Sequence, residues 1–225
     1  MLDQLRIGNE YSLDGYDASL AGRSISAPKK KEIKETVPFS NKTHDFSKIN
    51  GELYWEEREL QYVFEIIANS PEELEQKKTA FSGWVMNVMN ENIYDPYEPG
   101  WHYVGTFSDL EYDDEDCVEK TTATVTFMVY PYKLSDIEYY MEYSVAANAT
   151  RQVTLENKSA HRLMPKVACV GEITITKDNM EYSFPTSIVG KRNIFHLDVG
   201  SNSLTIKNKR DRADYVSIIF NEEVF

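Results

Sequence analysis

The sequence predicts a mainly β protein with one α-helix, arranged as two consecutive domains. Short runs in which apolar and polar residues alternate predict strands, and the clearest is TTATVTFMV at residues 121–129. The clearest apolar stripe at helical spacing lies in residues 71–90, and residues 134–150 are ambiguous between a short helix and a strand. After residue 142 the chain consists of short strand-like runs separated by turn residues, which is typical of a small antiparallel sandwich.

The composition disfavours nucleic-acid and membrane proteins. The chain has 225 residues, with 24 Lys and Arg against 37 Asp and Glu, so its formal net charge is −13. A surface this acidic repels phosphate, so we expect no specific nucleic-acid binding. No apolar run approaches the roughly 20 residues that span a bilayer, and the N-terminus lacks the pattern of a signal peptide. We therefore expect no membrane insertion, and folding in a cytoplasm with Cys117 and Cys169 as free thiols.

Residues 26–51 form a polar segment without periodicity, which predicts a long exposed loop or an extended arm. It carries the basic residues Lys29, Lys30, Lys31 and Lys34. These lysines either dock on an acidic neighbour, which could be another copy of this acidic chain, or form a solvated loop surface.

The next two elements are a strand and the helix. Leu60, Tyr62, Phe64 and Ile66 share one face of a strand at period two. The helix begins with Ser70 as N-cap, Pro71 in the first turn and Glu73 closing a capping box. Its apolar stripe consists of Leu74, Phe81, Trp84, Val85, Val88 and Met89. Gly83 costs this helix about 1 kcal/mol relative to alanine, unless another backbone packs closely there.

Residues 101–112 and 117–132 predict a hairpin with the acidic tip DDED. Its acids could offer oxygen ligands to calcium, but the spacing and the central glycine of an EF-hand loop are absent, which favours a solvated tip. Tyr130-Pro131-Tyr132 ends the second strand, because Pro131 lacks a backbone N–H for a central ladder. We place a linker at residues 134–142, between a first domain of residues 1–133 and a second of residues 143–225.

No motif indicates catalysis. The histidines (His44, His102, His161 and His196) have no metal-ligand spacing, and no nucleophile elbow, phosphate loop or dinucleotide fingerprint is present. The sequence therefore predicts no catalytic, cofactor or metal-binding residues, and a binding or structural protein rather than an enzyme.

The order of several segments resembles the distal tail protein (Dit) family of long-tailed, non-contractile, siphovirus-type phages. In the first half these segments are YSLDGYDASLAG, VPFSN with INGEL, EERELQYVFEI, WHYVGTF and TTATVTFMVYPYK. In the second half they are LENKSAHRLMPKVACVGEITI and LDVGSNSLTI. Each segment is weak alone, but the ordered set covers about 200 residues.

The resemblance implies a fold and a role. The fold would be a tail-tube-like β-sandwich with one flanking helix and an extended belt, followed by a galectin-like β-sandwich. Family members form hexameric rings at the distal tip of the virion tail, joining the tail tube protein to the tail-associated lysin or fibre protein, and DNA passes through the ring. The tape measure protein is a further possible partner, and assembly takes place in the host bacterial cytoplasm.

Two expectations and one alternative follow. The arm, with Lys29, Lys30, Lys31 and Lys34, is the candidate inter-subunit contact, and Asp109, Glu111, Asp113 and Asp114 of the hairpin are the candidate acids that face the channel. The alternative function is a carbohydrate-binding β-sandwich that contacts host cell-wall sugars, since the chain has 15 tyrosines whose rings could stack on sugars.

Overall fold

The computed structural model describes residues 4–36, 39, 43–48, 53–114, 119–185 and 195–225. The chain divides into two compact units, residues 1–133 with Phe225, and residues 134–224. Both units consist mainly of antiparallel strands, so the predicted mainly β fold class is confirmed.

The first unit is built on one antiparallel sheet, in which the described strands follow the order β2-β1-β7-β8-β9-β6-β3. In chain order the elements of this unit are β1 (Arg6–Ile7), β2 (Glu10–Tyr11), α1 (Ser12–Tyr16), β3 (Ala18–Ile25), β4 (Lys34–Thr36), β5 (Thr43–Asp45), β6 (Arg58–Ile67), α2 (Pro71–Met86), β7 (Glu91–Tyr94), β8 (Trp101–Asp114) and β9 (Lys120–Val129). Strands β4 and β5 pair with each other outside that sheet.

The core of the first unit lies between the inner face of this sheet and α2. On β6 the predicted residues Leu60, Tyr62, Phe64 and Ile66 are fully buried. The ring of Phe81 on α2 packs edge-on against Phe64, at 5.2 Å between ring centroids. The core thus forms where every second side chain of the strands packs against the apolar stripe of α2.

Helix α2 begins as predicted and ends earlier. The side chain of Ser70 accepts a hydrogen bond from the backbone nitrogen of Glu73, and Pro71 is the first helical residue. The carboxylate of Glu73 reaches the backbone nitrogen of Asn69 instead of that of the N-cap residue. The helix ends at Met86, so the predicted Met89 lies beyond it, and Met89 is 77% exposed rather than part of the core.

The predicted hairpin is present as β8 and β9, paired from Gly105 to Asp114 with one bulge between Phe107 and Asp109. Its acidic tip, residues 115–118, lies outside the described residues, as does Cys117. Gly105 is required by packing, because a Cβ atom there would lie 2.4 Å from Cγ1 of Val129 and 2.9 Å from the carbonyl oxygen of Met128.

Two glycine substitutions should therefore change stability in opposite directions. Gly105→Ala should lower the free energy of unfolding by about 2–3 kcal/mol, because the new methyl group overpacks the sheet. Gly83→Ala should raise it by about 1 kcal/mol, because a Cβ atom on α2 meets nothing within 4 Å and alanine has the higher helix propensity. Urea unfolding of both variants measures the difference. Equal effects of the two substitutions would contradict the packing described around Gly105.

The first unit ends at the tyrosine pair. Strand β9 stops at Val129, and Pro131 follows it as predicted. Tyr132 is buried, and its ring lies 4.9 Å from that of Phe225 and 5.5 Å from that of Tyr130. This stretch therefore lies at the end of the continuous segment of the first unit, residues 1–133.

The second unit is a sandwich of two antiparallel sheets. Their orders are β11-β17-β13 and β12-β16-β14-β15. The elements of this unit are β10 (Lys133–Ser135), β11 (Tyr139–Val145), β12 (Thr150–Asn157), β13 (Lys166–Cys169), β14 (Ile173–Lys177), β15 (Met180–Phe184), β16 (Gly200–Asn208), β17 (Asp214–Phe220) and β18 (Glu223–Val224). Residues 134–142, expected as a linker, contain most of β10 and the start of β11. The core contains buried residues of both sheets, such as Val145 and Ile218 from one and Leu155 and Ile206 from the other.

Positive φ angles and a buried amide side chain shape the turns of the second unit. Asp178 and Asn179 both have positive φ, at 50° and 64°, which gives the predicted tight turn between β14 and β15. Asn208 is fully buried, and its amide nitrogen donates to the carbonyl oxygens of Val145, Ala146 and Arg212. Its side-chain oxygen accepts from the backbone nitrogen of Arg210. Cys169 is also buried, and this burial raises the pKa of its thiol.

Candidate functional site

The predicted arm leaves the sheet after β3 and returns to it at β6. Its first part runs antiparallel to residues 54–56. The backbone nitrogen of Lys31 donates to the carbonyl oxygen of Tyr54 at 2.9 Å, and the backbone nitrogen of Glu56 donates to the carbonyl oxygen of Lys29 at 2.8 Å. Further out, β4 and β5 pair from Lys34 with Asp45 to Thr36 with Thr43. The described part of the arm is therefore a paired, extended structure rather than an irregular loop.

The arm exposes apolar side chains as well as charged ones. Ile33 and Phe46 lie opposite each other, joined by a 2.8 Å backbone hydrogen bond, and they are 38% and 46% exposed. Tyr54, in the segment that leads back to β6, is 48% exposed. An extended segment that presents aromatic and aliphatic residues to solvent is suited to packing against another protein surface.

The four predicted arm lysines lie at the start of this segment, and all are exposed. The backbone of Lys30 forms an isolated antiparallel β-bridge with that of Trp55. The ammonium of Lys34 donates a hydrogen bond to the carboxylate of Glu32 at 2.6 Å, and this hydrogen bond raises the pKa of Lys34. The four exposed lysines make the start of the arm locally basic on a chain whose net charge is −13.

Three of the four predicted hairpin acids share one face of the sheet. Asp109, Glu111 and Asp113 alternate along β8 and lie opposite Thr126, Thr124 and Thr122 of β9. Because directly paired residues share a face, these acids stand beside a row of threonine hydroxyls. This face points away from the core that packs on α2.

The same face continues across two more strands. The register places Gln61, Val63 and Glu65 of β6 beside the threonines, and Ser24, Gly22 and Ser19 of β3 beside those. We call these twelve positions the outer face of the first sheet. Apart from Gln61 and Val63, its side chains are acidic, small or hydroxylated. Lys120 continues the same face toward the tip of the hairpin and pairs with Glu65 at 3.2 Å.

Asp114 does not belong to this face. It pairs with Thr121, whose side chain is buried on the helix side, and its carboxylate accepts from Thr121 Oγ1 at 2.7 Å and from Lys78 Nζ at 3.1 Å. These hydrogen bonds hold the pKa of Asp114 below its ordinary value. Asp114 thus links β8 to α2, and three of the four predicted acids, Asp109, Glu111 and Asp113, share the outer face.

The sequence predicts that the three threonines share a face, but not that this face lies beside the acids. The alternation TTATVTF places Thr122, Thr124 and Thr126 on one face. Their position beside the acids depends on the bulge between Phe107 and Asp109, which no local sequence signal predicts.

In the described part of the chain, neither a metal-binding cluster nor a membrane-spanning helix is present. This part contains no group of three or more His, Cys, Asp or Glu side chains arranged to hold a metal ion. Within the same residues, no helix is both long and apolar enough to cross a membrane.

Comparisons with known proteins identify the fold. No protein-family model and no curated protein sequence matches the chain. Among solved structures, the chain is similar to the Dit protein (gp 19.1) of phage SPP1, with a TM-score of 0.68, 12% sequence identity, and coverage of 100% of both chains. That protein is described as a paradigm of the hub adsorption apparatus in phages that infect Gram-positive bacteria. The resemblance read from the sequence is thus confirmed at the level of the fold, and the chain has the fold of the Dit hub protein.

Proposed function

We propose that this chain is the structural hub of a phage tail tip. Its copies form a closed ring, expected to be a hexamer, which joins the tail tube protein to the tail-associated lysin or fibre protein, contacts the tape measure protein, and lets DNA pass. The observation that carries the proposal is the full-length similarity to a hub protein, which includes both units. Its place is the distal tip of the virion tail, and its role is structural rather than enzymatic.

The arm supports ring formation. A closed ring needs two different surfaces on each copy, one of which binds the other on the next copy. The arm offers a basic and partly apolar segment, and the rest of the chain is strongly acidic. Complementary charge of this kind sets the register of the contact more than it adds affinity, while the exposed Ile33, Phe46 and Tyr54 supply apolar area.

The outer face of the first sheet supports a DNA channel. Double-stranded DNA slides without binding where the wall carries net negative charge. Asp109, Glu111 and Asp113 supply that charge, and the threonine and serine side chains beside them are short, so they leave the wall smooth.

Neutralising these acids should increase DNA retention. The triple variant Asp109→Asn, Glu111→Gln and Asp113→Asn is expected to bind double-stranded DNA several-fold more tightly at low salt, measured by the DNA that purified rings retain. The matched control neutralises three exposed acids of the second unit, Glu156, Glu172 and Glu181. Equal retention by the triple variant, its control and the wild type would contradict the channel assignment.

Light scattering and a glycan array distinguish the hub from the alternative carbohydrate-binding function. A hub gives particles of six times 26.0 kDa, about 156 kDa, and no glycan binding. A 26.0 kDa monomer that binds cell-wall sugars would replace the proposal with the alternative.

A further inference from the structure

A buried arginine lies at the root of the arm, where the chain re-enters the sheet. Arg58 is the first residue of β6, two residues after the arm contact at Glu56, and it is only 6% exposed. Its guanidinium carbon lies 5.1 Å from the centre of the Tyr103 ring. Among the residues that the structure describes, no hydrogen-bond acceptor contacts its Nε or Nη2.

These two nitrogens form the edge with which arginine binds a carboxylate. The N–H bonds of Nε and Nη2 are nearly parallel, so a carboxylate can accept one hydrogen bond on each oxygen. A guanidinium stays charged at any physiological pH, and a buried charge without a partner is strongly unfavourable. One carboxylate in a side-on pair neutralises the charge of the guanidinium and accepts a hydrogen bond from each of the two nitrogens.

The carboxylates nearby already have partners. Asp95 is bound by Arg23 at 2.5 Å, by the hydroxyl of Tyr62 at 3.2 Å and by the backbone nitrogen of Tyr97 at 2.8 Å. Glu98 accepts from the hydroxyl of Tyr103 at 2.7 Å and from Lys133 at 3.1 Å. Burial raises the pKa of Glu98, but these hydrogen bonds outweigh it and the pKa is lowered, so Glu98 is ionised.

Within this cluster of five ionic side chains the charges do not balance. Arg23, Arg58 and Lys133 supply three positive charges, and Asp95 and Glu98 supply two negative ones. Elsewhere the chain has an excess of acids that gives a net charge of −13. A second copy of this acidic chain exposes many carboxylates, and one of them can serve as the anion for Arg58.

We propose that Arg58 receives a carboxylate from a neighbouring copy when the ring closes, through a side-on pair with Nε and Nη2. The inference rests on the proposed ring, and it names one residue that couples arm docking to assembly. Both nitrogens are shielded from solvent in the isolated chain, so the pair can form only if docking of the arm moves the residues at its root. The pair then removes the cost of the buried charge only in the assembled state.

Replacement of Arg58 by methionine should separate folding from assembly. Methionine keeps much of the volume without the charge, so the diluted monomer of Arg58→Met should melt about 3 °C or more above the wild type. Ring formation should need at least about tenfold more protein, because the carboxylate of the neighbour is left without its partner. Thermal melting of the monomer and light scattering across a dilution series measure the two effects.

Two variants serve as controls. Lys133→Met removes a cation whose partner, Glu98, is internal, so its monomer should melt below the wild type. Arg58→Lys keeps the charge but cannot form the side-on pair, so its assembly should fall between those of the wild type and Arg58→Met.

Three outcomes would overturn the inference. Arg58→Met rings that form at the wild-type concentration would show that no neighbouring carboxylate uses Arg58. A lower melting temperature of the Arg58→Met monomer would show that Arg58 already has its partner within one chain. A wild type that stays monomeric at every concentration would refute the ring itself, and the inference with it.

Discussion

Deletion of residues 28–36 should convert rings, which for six full-length copies of 26.0 kDa weigh about 156 kDa, into folded monomers. The deleted segment contains Lys29, Lys30, Lys31 and Lys34, strand β4, and the exposed Ile33. None of these residues belongs to the buried core of the first unit. The deletion therefore removes the proposed inter-subunit surface and leaves the packing of the sheet against α2 intact.

The measurements are light scattering for mass and circular dichroism for folding. We expect a far-ultraviolet spectrum like that of the wild type and a melting temperature within about 3 °C of it, because only exposed contacts are lost. A variant that replaces only the four lysines by glutamine separates the roles of charge and apolar area. It should still form rings at high protein concentration, because charge contributes more to register and association rate than to affinity. Full rings from the deletion variant would contradict the role of the arm.

Substitution of Asn208 by alanine should destabilise the second unit by about 3–5 kcal/mol. Its amide group binds three backbone carbonyls that belong to two different turns, and its oxygen binds the backbone nitrogen of Arg210. Alanine leaves these buried groups without partners, and each such loss costs about 1–3 kcal/mol. Scanning calorimetry of the full-length chain should show the transition of this unit shifted down by about 15 °C.

Two further substitutions calibrate that result. Asn208→Asp keeps the acceptor for Arg210 but lacks the amide donors, so it should destabilise the unit by a similar amount. Lys207→Ala, at the exposed neighbouring position on β16, should change stability by less than about 0.5 kcal/mol. A loss below about 1 kcal/mol for Asn208→Ala would show that water or a shifted turn can replace the amide.

Sequence patterns predicted the elements whose signals are local. The N-cap at Ser70 and the alternation along β6 and β9 each depend on residues within a few positions of one another, and the structure contains all three. The short helix α1 was missed because five residues are too few to show helical periodicity.

Features that depend on distant contacts could not be predicted from the sequence. Gly105 and Gly171 occur in two of the segments that resemble the Dit family. Only the structure shows why glycine is needed at these positions, because the atoms that a Cβ would meet come from other strands and loops. A Cβ atom at Gly171 would overlap the buried carboxylate of Asp214 and the side chain of Arg210. The position of Asp114 on the helix side and the burial of Arg58 likewise depend on pairing between strands far apart in sequence.

Electron microscopy of the purified full-length protein tests the central claim most directly. A tail hub whose copies close through the arm predicts rings with six-fold symmetry and a central hole lined by the outer face of the first sheet. Single particles of one copy, or closed particles without a hole at all protein concentrations tested, would contradict the proposed hub.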